Sequence, residues 1–494
     1  MILKRIKFYP EQKMSLNKNS FYITTTIPYV NADPHIGFAL ELVQSDAIAR
    51  YQRLVGKDVF FSTGTDEHGQ KIWEASQKED KNVQDYVDLY AQKFLDLKNI
   101  LNLSYDNFIR TTSKEHILAA QEFWRLCDTR GDIYKKKYKG LYCVGCEKFI
   151  TEKDLIDGKC QLHPTKEPEI IEEENYFFRL GNYRKQLLEY LSNEKTIIPE
   201  WRRKEAIDFV QNDMEDFSIS RDKKRFSWGI PILRDNTQVM YVWFDALVNY
   251  ISTLGWPNNK ENFKKFWSEE GEKVQTAGKD MVKFQSVMWQ GMLMSAGLST
   301  TDTIMYHGFI TGEGGVKMSK SLGNVINPNN IVKEYGTDAL RYFLLREISS
   351  FEDSPFTMER FKDAYNSGLA NGLGNLASRI LTLSEKYLEK CPEIPEKSDF
   401  KEYFKFFEKF DIKQAVDYVW NEIGELDKFI QETEPFKVVK IDEKKGKELI
   451  SGMVVRLYKI ARMLNPIMPE TNIILKKLIK ENKKPAQPLF LRKE

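Results

Sequence analysis

The chain has 494 residues, of which 41% are hydrophobic and 30% are charged. This length and composition are typical of a folded protein with two to four domains, and they exclude a single small module or a disordered tail protein. Every apolar stretch is shorter than the ~18 residues that a transmembrane helix needs. We therefore expect no membrane-spanning segment and no membrane partner.

The cysteine content and the charge distribution bear on the compartment and the partners. Three of the five cysteines are clustered, which does not suggest a disulfide framework and favours a reducing compartment, so we expect the cytoplasm. The net charge is only +2, but residues 437–494 hold 15 Lys and Arg against 6 Asp and Glu. A basic end of this kind either contacts nucleic acid phosphates or forms a solvated lysine-rich surface.

The first elements along the chain predict a parallel sheet. Residues 21–27 are rich in β-branched side chains and predict a buried strand. Apolar residues between 36 and 54 recur mostly at three- or four-residue steps, which predicts a helix, and residues 59–62 predict a second strand. A strand, a helix and a strand in this order form a βαβ unit, whose ligand site lies at the carboxyl ends of the strands. We therefore expect an α/β fold with a Rossmann-type catalytic sheet.

The rest of the chain predicts an insertion and a helical end. Residues 112–235 interrupt the α/β pattern with cysteines, charged runs and aromatic segments, and strand-like stretches at 239–244 and 303–310 indicate that the sheet resumes there. Beyond residue 368 the apolar spacing is helical, as in a helix bundle. We expect a catalytic domain split between 1–111 and 236–330, an insertion at 112–235, a linker at 331–367 and a helical domain at 368–494.

A metal site is predicted inside the insertion. Cys143 and Cys146 are separated by two residues, and Cys160 and His163 repeat this spacing after thirteen intervening residues. Three thiolates and one imidazole form a closed tetrahedral set that suits a structural Zn²⁺ ion. The sequence therefore predicts a zinc knuckle.

Two further segments have the chemistry of a nucleotide site. His35 and Gly37 lie between the first strand and its helix, where free backbone N–H groups and the helix dipole favour a phosphate chain. The second segment, residues 317–321, contains Lys317 and Lys320 after a glycine-rich stretch, and two such lysines can neutralise charge that builds on a leaving pyrophosphate. Taken alone, the first segment could be an ordinary turn and the second a basic surface loop.

Together these segments resemble the HIGH and KMSKS motifs of the class I aminoacyl-tRNA synthetases, and the chain is most similar to the methionyl-tRNA synthetase family. The similarity runs nearly end to end and in family order. It is carried by the segments IPYVNADPHIG, FSTGTDEHGQKI, CVGCEKFI, YVWFDAL, GKDMVKFQ, GVKMSKSLGN and GLGNLASR.

The resemblance implies roles for individual residues. ATP and its Mg²⁺ would meet His35, Gly37, Lys317, Ser319, Lys320 and Ser321, with His35 and the two lysines as the catalytic residues. Asp66 and the carbonyl of Ile27 would hold the ammonium group of L-methionine, and aromatic side chains would surround its thioether. The full methionine set is Ile27, Tyr29, Asp66, Trp243, Ala246, Tyr250, Met281 and Gln285.

The resemblance also implies a role in anticodon binding for the helical C-terminal domain. Asn375 and Arg379, four residues apart on one helix face, would hydrogen-bond the CAU anticodon of tRNA(Met), and Phe436 would stack on a base. It implies a zinc knuckle in the insertion, in agreement with the cysteine spacing. Because nothing after Glu494 resembles the oligonucleotide-binding domain through which some relatives dimerise, we expect a monomer.

Three departures from the family pattern leave other functions open. Phe38 replaces the second histidine of HIGH, Gln285 replaces a pocket histidine, and Phe436 replaces a tryptophan. A catalytically impaired, synthetase-like tRNA-binding protein is therefore an alternative, although the catalytic lysines are retained. A nucleotidyltransferase of the same superfamily is a second alternative, but the zinc pattern and the long helical end argue against it.

Overall fold

The structure is a computed structural model that describes residues 19–143, 148–150, 152, 155–161, 167–225, 227–268, 271–316, 318, 325–395 and 400–494. Its strands are β1 Ser20–Thr24, β2 Asp58–Thr65, β3 Asn107–Arg110, β4 Ile133–Cys143, β5 Lys148–Ile150, β6 Leu155–Ile156, β7 Lys159–Cys160, β8 Glu169–Phe178, β9 Ile197–Ile198, β10 Phe217–Ser218, β11 Ser220–Asp222, β12 Pro231–Ile232, β13 Asp235–Met240, β14 Gly271–Gly278, β15 Thr303–His307, β16 Ile310–Thr311 and β17 Ser354–Pro355.

The helices cover most of the remaining chain. They are α1 Ile36–Leu54, α2 Gln70–Lys78, α3 Val83–Ile100, α4 Lys114–Thr129, α5 Arg184–Ser192, α6 Glu200–Asn212, α7 Val242–Leu247, α8 Asn249–Ser252, α9 Lys260–Trp267, α10 Trp289–Ala296, α11 Pro328–Tyr335, α12 Thr337–Arg346, α13 Met358–Ala364, α14 Asn375–Tyr387, α15 Lys401–Glu408, α16 Ile412–Thr433, α17 Pro435–Ile441, α18 Glu443–Met463 and α19 Pro469–Glu481. Wider π-helical turns at Val282–Met288 and Tyr365–Gly374 lead into α10 and α14.

The centre of the fold is a six-stranded sheet in the order β3-β2-β1-β14-β15-β9, and all of its pairings are parallel. Parallel sheets are covered by helices on both faces, so their strands are nearly continuous apolar or buried runs. All five residues of β1 are buried. The predicted parallel α/β core and the predicted helical C-terminal region are both confirmed.

The later strands of the sheet differ in part from those that the sequence indicates. The predicted strand at 239–244 does not enter the parallel sheet: β13 ends at Met240 in a small antiparallel sheet with β11 and β12, and the chain continues as α7. On the side away from β2, β1 pairs instead with β14, which was not predicted from the sequence. The sheet also takes the short strand β9 from the segment assigned to the insertion.

The insertion also contains a separate antiparallel sheet. Its order is β10-β8-β4-β5, and the long strands β4 and β8 pair along ten residues. Beyond residue 368, α14, α16, α18 and α19 pack around a core of buried aliphatic residues such as Ile380, Val419 and Leu457. No helix in the described ranges has the length and apolarity needed to cross a bilayer.

Candidate active site

The candidate site lies at the carboxyl edge of the parallel sheet. Because parallel strands end at a common edge, the segments that follow them meet there. β1 leads into the turn before His35, β2 leads into Asp66, β14 leads into Met281, and β15 ends at His307. This edge therefore collects the first nucleotide motif and, of the predicted methionine residues, Ile27, Tyr29, Asp66 and Met281.

His35 caps the N-terminus of α1. Its backbone is extended, and its Nδ1 accepts a hydrogen bond of 3.1 Å from the N–H of Gly37. A capping acceptor satisfies one of the free N–H groups of the first turn. A Cβ atom on Gly37 would lie 2.8 Å from Cε1 of His35, so this close packing requires glycine. With Nδ1 used as the acceptor, Nε2 is the ring atom that can donate a proton.

Phe38, which replaces the second histidine of the family motif, packs on the motif itself. Its ring centroid lies 4.5 Å from that of His35 and 5.6 Å from that of Phe94 on α3. The ring therefore supports the His35 imidazole through packing, although it offers no hydrogen-bond donor to a ligand.

The turn after β1 is hydrogen-bonded to the end of β2. The N–H of Asp66 donates to the carbonyl of Pro28 at 2.9 Å, and the N–H of Val30 donates to the carbonyl of Asp66 at 3.2 Å. These two bonds hold Tyr29 beside Asp66, whose side chain is buried. Ile27, just before the turn, is partly buried.

The aromatic side of the predicted pocket is built on α7 and α8. The ring of Tyr29 meets that of Trp243 edge to face, with centroids 6.5 Å apart, and Trp243 stacks on Phe284 at 3.8 Å. Ala246 lies one helical turn after Trp243 and is buried. The structure therefore brings the turn after β1 and helix α7 together.

Gln285, in the segment after β14, completes the aromatic wall of the predicted pocket, which is the side formed by Trp243, Ala246 and Tyr250. Its Nε2 donates a 2.9 Å hydrogen bond to the hydroxyl of Tyr250, and both side chains are buried. Burial also raises the pKa of Tyr250 well above its ordinary value, so the phenol is neutral. Among the described residues, Oε1 of Gln285 and Nε1 of Trp243 have no hydrogen-bond partner. Met281, at the start of the same segment, is partly buried.

A buried network on α1 was not identified from the sequence. One carboxylate oxygen of Glu41 accepts 2.6 Å bonds from the N–H and hydroxyl of Thr26, and the other lies 2.9 Å from Nε2 of His307. Burial lowers the pKa of His307, but the hydrogen bond and charge of Glu41 outweigh it and leave the pKa above its ordinary value. The sequence offered one sign of this network, because Glu41 is a charged residue at a position of α1 that faces the sheet.

The second nucleotide motif falls mainly outside the described residues. Lys317, Ser319, Lys320 and Ser321 are not described, whereas the preceding glycine turn is: Gly314 and Gly315 have φ values of 68° and 78°, which favour glycine. Lys279, after β14, forms an ion pair of 2.7 Å with Asp353.

The predicted zinc ligands are only partly described. Cys143 and Cys160 are both buried and share a small cluster with Ile150, while Cys146 and His163 lie outside the described residues. In the part of the chain that the structure describes, no group of three or more candidate metal ligands occurs. Two buried thiols in one cluster fit the donor chemistry of a zinc site.

The predicted anticodon residues lie on the surface of the helical region. Asn375 is exposed at the start of α14, and Arg379, one turn later, pairs with Asp427 of α16 at 2.5 Å. Arg379 and Phe436 line one open surface pocket together with Ile430. Phe436 is 38% exposed, so part of this residue is accessible to a ligand.

A parallel sheet with a histidine-capped helix and a cluster of aromatic side chains beside its carboxyl edge is the arrangement of a class I tRNA synthetase. The family model described as "tRNA synthetases class I (M)" matches residues 21–167 and 150–381. The chain is 40% identical to a methionine–tRNA ligase of Thermotoga maritima, covering 94% of this chain and 76% of that protein. It is 39% identical to the Fusobacterium nucleatum methionine–tRNA ligase, covering 92% and 73%.

Solved structures agree with these relatives. The Mycobacterium tuberculosis methionyl-tRNA synthetase in complex with methionyl-adenylate superposes with a TM-score of 0.86 at 35% identity, covering 92% of this chain and 93% of that one. The free form of the same enzyme gives a TM-score of 0.80 at 30% identity, covering 98% and 100%. The chain belongs to the methionine–tRNA ligase family.

Proposed function

We propose that the protein is an ATP-dependent methionine–tRNA ligase. The observation that carries this proposal is the position of Asp66: backbone hydrogen bonds hold this buried carboxylate beside Tyr29, which meets Trp243 edge to face. A carboxylate can bind an ammonium group, and ring faces pack well against a flexible, polarizable thioether. The relatives named above, one of which is solved with methionyl-adenylate, support the same substrate.

The proposed reaction has two steps. In the first, a carboxylate oxygen of methionine attacks the α-phosphorus of ATP, the bond from that phosphorus to the β-phosphate oxygen breaks, and pyrophosphate leaves. In the second, a ribose hydroxyl of the terminal adenosine of tRNA attacks the carbonyl carbon of the adenylate and releases its proton to solvent, and AMP leaves with the electrons of the broken carbon–oxygen bond. Positioning and charge stabilisation supply the rate, because the protein forms no covalent bond in either step.

The phosphates are assigned to the start of α1 and to the lysine motif. The positive dipole end of α1, together with Nε2 of His35, favours the phosphate chain, and Gly37, which has no side chain, lets the ligand approach the helix end closely. Mg²⁺ would accompany ATP. We assign neutralisation of the departing pyrophosphate to Lys317 and Lys320. Further hydrogen bonds to ATP are assigned to Ser319 and Ser321.

The methionine side chain is assigned to the wall formed by Trp243, Ala246, Tyr250, Met281 and Gln285. The unpaired Oε1 of Gln285 and Nε1 of Trp243 support a ligand here, because a buried polar atom without a partner is costly. Ile27 would contribute its carbonyl to the ammonium group, next to Asp66. The amide of Gln285 keeps the wall polar where the family has a histidine.

The helical region is assigned to the anticodon. Asn375 and Arg379 would hydrogen-bond a base of the CAU anticodon of tRNA(Met), and Phe436, which is partly exposed, would stack on it. The positive charge of residues 437–494 supports contact with tRNA phosphates. We propose that the protein is cytoplasmic, as the cysteine content indicates.

A structural zinc ion is proposed for the insertion. Cys143, Cys146, Cys160 and His163 would hold it, and the burial of Cys143 and Cys160 in one cluster supports the assignment. When bound, such an ion supplies folding energy rather than chemistry.

The decisive experiment is ATP–pyrophosphate exchange with each of the twenty amino acids, followed by charging of tRNA transcripts. We expect exchange with methionine alone and charging only of the transcript with a CAU anticodon. Exchange without any amino acid, or with a different one, would overturn the substrate assignment. Binding of tRNA without exchange would identify a catalytically impaired tRNA-binding protein.

A further inference from the structure

One buried carboxylate joins two segments of the proposed methionine pocket. Asp245, on α7, is fully buried; its Oδ2 lies 2.7 Å from Nδ1 of His68, and its Oδ1 lies 2.8 Å from Nε2 of His116. His68 is 5% exposed and His116 is 0% exposed, so solvent competes little for either bond. A charge buried in this way is tolerated only when its oxygens accept hydrogen bonds.

The two imidazoles keep the carboxylate ionised. Burial raises the pKa of Asp245, but His68 and His116 outweigh it and hold the pKa below its ordinary value. Hydrogen bonds to a charged acceptor are shorter and stronger than neutral ones. The two contacts of Asp245 are therefore firm links between the segments that carry them.

The His68 contact links the segment of Asp66 to the segment of Trp243. His68 is two residues after Asp66, and Asp245 is two residues after Trp243 and directly before Ala246. The Asp245–His68 bond therefore ties the loop that carries Asp66 to the helix that carries the aromatic wall.

The His116 contact points away from the pocket. His116 lies in the first turn of α4, and its Nδ1 is 2.8 Å from Oγ of Ser252 at the end of α8. His116 therefore anchors Asp245 to the supporting helices, whereas His68 connects it to the proposed substrate loop.

We propose that Asp245 and His68 are a positioning pair that fixes the separation of Asp66 from the aromatic wall and thereby selects amino acids by side-chain length. This inference rests on the proposed function, because it takes methionine as the substrate. The pair acts through Asp66 and α7 and not on the reacting atoms. Its loss should therefore weaken substrate binding and selectivity more than the chemical step.

The test compares His68→Leu with His68→Asn. Leucine removes the hydrogen bond to Asp245, whereas the amide N–H of asparagine can replace the ring N–H. We expect His68→Leu to raise the KM for methionine about tenfold, with kcat changed less than about threefold, because small displacements of bound groups are costly. The preference for methionine over ethionine in kcat/KM should fall by a similar factor, and His68→Asn should restore most of both values.

His116→Asn is the matched control, since it alters the other bond of the same carboxylate. We expect it to lower the Tm while leaving the KM for methionine and the preference over ethionine unchanged. If His68→Leu has a normal Tm and leaves both the KM for methionine and the preference over ethionine unchanged, the proposal is wrong. An equal rise in KM for His116→Asn and His68→Leu would also overturn it, because the network would then only support the fold.

Direct binding separates this inference from the proposed function. Calorimetric titration with methionine and with ethionine measures selectivity without the chemical step. If the wild-type protein binds methionine but shows no ATP–pyrophosphate exchange, the proposed function is wrong. The binding selectivity of His68→Leu then still tests whether Asp245 and His68 act as a positioning pair. If the wild-type protein binds neither amino acid, both proposals are wrong.

Discussion

The backbone N–H of Ile36 donates a 3.0 Å hydrogen bond to the carbonyl of Ile326. Ile36 is the first residue of α1, and Ile326 follows the predicted lysine motif at residues 317–321. The chain that leaves this motif is therefore attached to the helix end that we propose for the phosphates. This relationship favours a shared ATP site for the two motifs, which lie far apart in the sequence.

Replacing Lys320 with alanine should impair methionine activation. We expect Lys320→Ala to slow methionine-dependent ATP–pyrophosphate exchange by about 10²–10³-fold, because a group that stabilises transition-state charge contributes about 3–4 kcal/mol. Lys333→Ala is the matched control, since Lys333 is an exposed lysine on the following helix, α11. Equal rates for Lys320→Ala and wild type would show that Lys320 does not contact the leaving pyrophosphate.

Truncating Phe436 should weaken tRNA binding without affecting activation. Loss of base stacking costs about 1–3 kcal/mol, so Phe436→Ala should raise the KM for tRNA roughly 5- to 150-fold, while pyrophosphate exchange stays normal. Phe436→Trp retains a stacking face and should keep a KM close to that of wild type.

Ile441→Ala is the control for this variant, because Ile441 is an 89% exposed apolar residue of the same short helix, α17. It should charge tRNA normally. If Phe436→Ala damages exchange as strongly as charging, the surface pocket beside Arg379 is not an anticodon site.

The sequence predicts best those structural features that depend on neighbouring residues in the chain. The helix that begins at Ile36 has a clear period and was predicted from it, whereas the capping bond of His35 became visible only in the structure. The run at 239–244 was misjudged because it is buried on every side, and a fully buried apolar run has no period that separates strand from helix. It is in fact shared between the end of β13 and the start of α7.

Contacts between distant polar residues could not be predicted at all. Asp245 meets His68 and His116 across 177 and 129 residues, and Arg379 meets Asp427 across 48. A single sequence gives each residue type and position but not its partner. The motif resemblance identified the segments of the site, whereas these partners required the fold.

Metal analysis should test the zinc knuckle. We expect one zinc ion per chain in the purified protein, and its loss in Cys143→Ser/Cys146→Ser together with increased proteolysis of the insertion, because a structural metal supplies folding energy directly. Cys391→Ser is the matched control, since Cys391 lies outside the insertion and is only partly buried. Purified protein without zinc, or a double variant that resists proteolysis like wild type, would exclude a structural site at these cysteines.

A buried ion pair connects α1 to α12. Asp46 of α1 lies 2.8 Å from Arg341 of α12, and both side chains are fully buried. The guanidinium of Arg341 also donates to the carbonyls of Leu101, Pro466 and Ile467, the last two in the connection between α18 and α19. Removing one partner of such a pair leaves an uncompensated buried charge, which costs about 3–5 kcal/mol.

The pair predicts a pH-dependent effect of Asp46→Asn. Burial raises the pKa of Asp46, but Arg341 and Arg50 outweigh it, so the pKa in the folded protein lies below its ordinary value. A lowered folded-state pKa contributes stability above the unfolded-state pKa of about 3.9, and this contribution is lost as the pH falls through the folded-state value. Asp46→Asn should therefore lower the Tm strongly at pH 7, and the difference from wild type should shrink below about pH 4.

Thermal unfolding measured by circular dichroism from pH 7 to pH 3 tests this prediction. The control is Glu432→Gln, which removes an exposed ion pair with Lys428 and should match wild type at every pH. A Tm difference for Asp46→Asn that is constant over this range would show that the carboxylate charge is not the source of the stability.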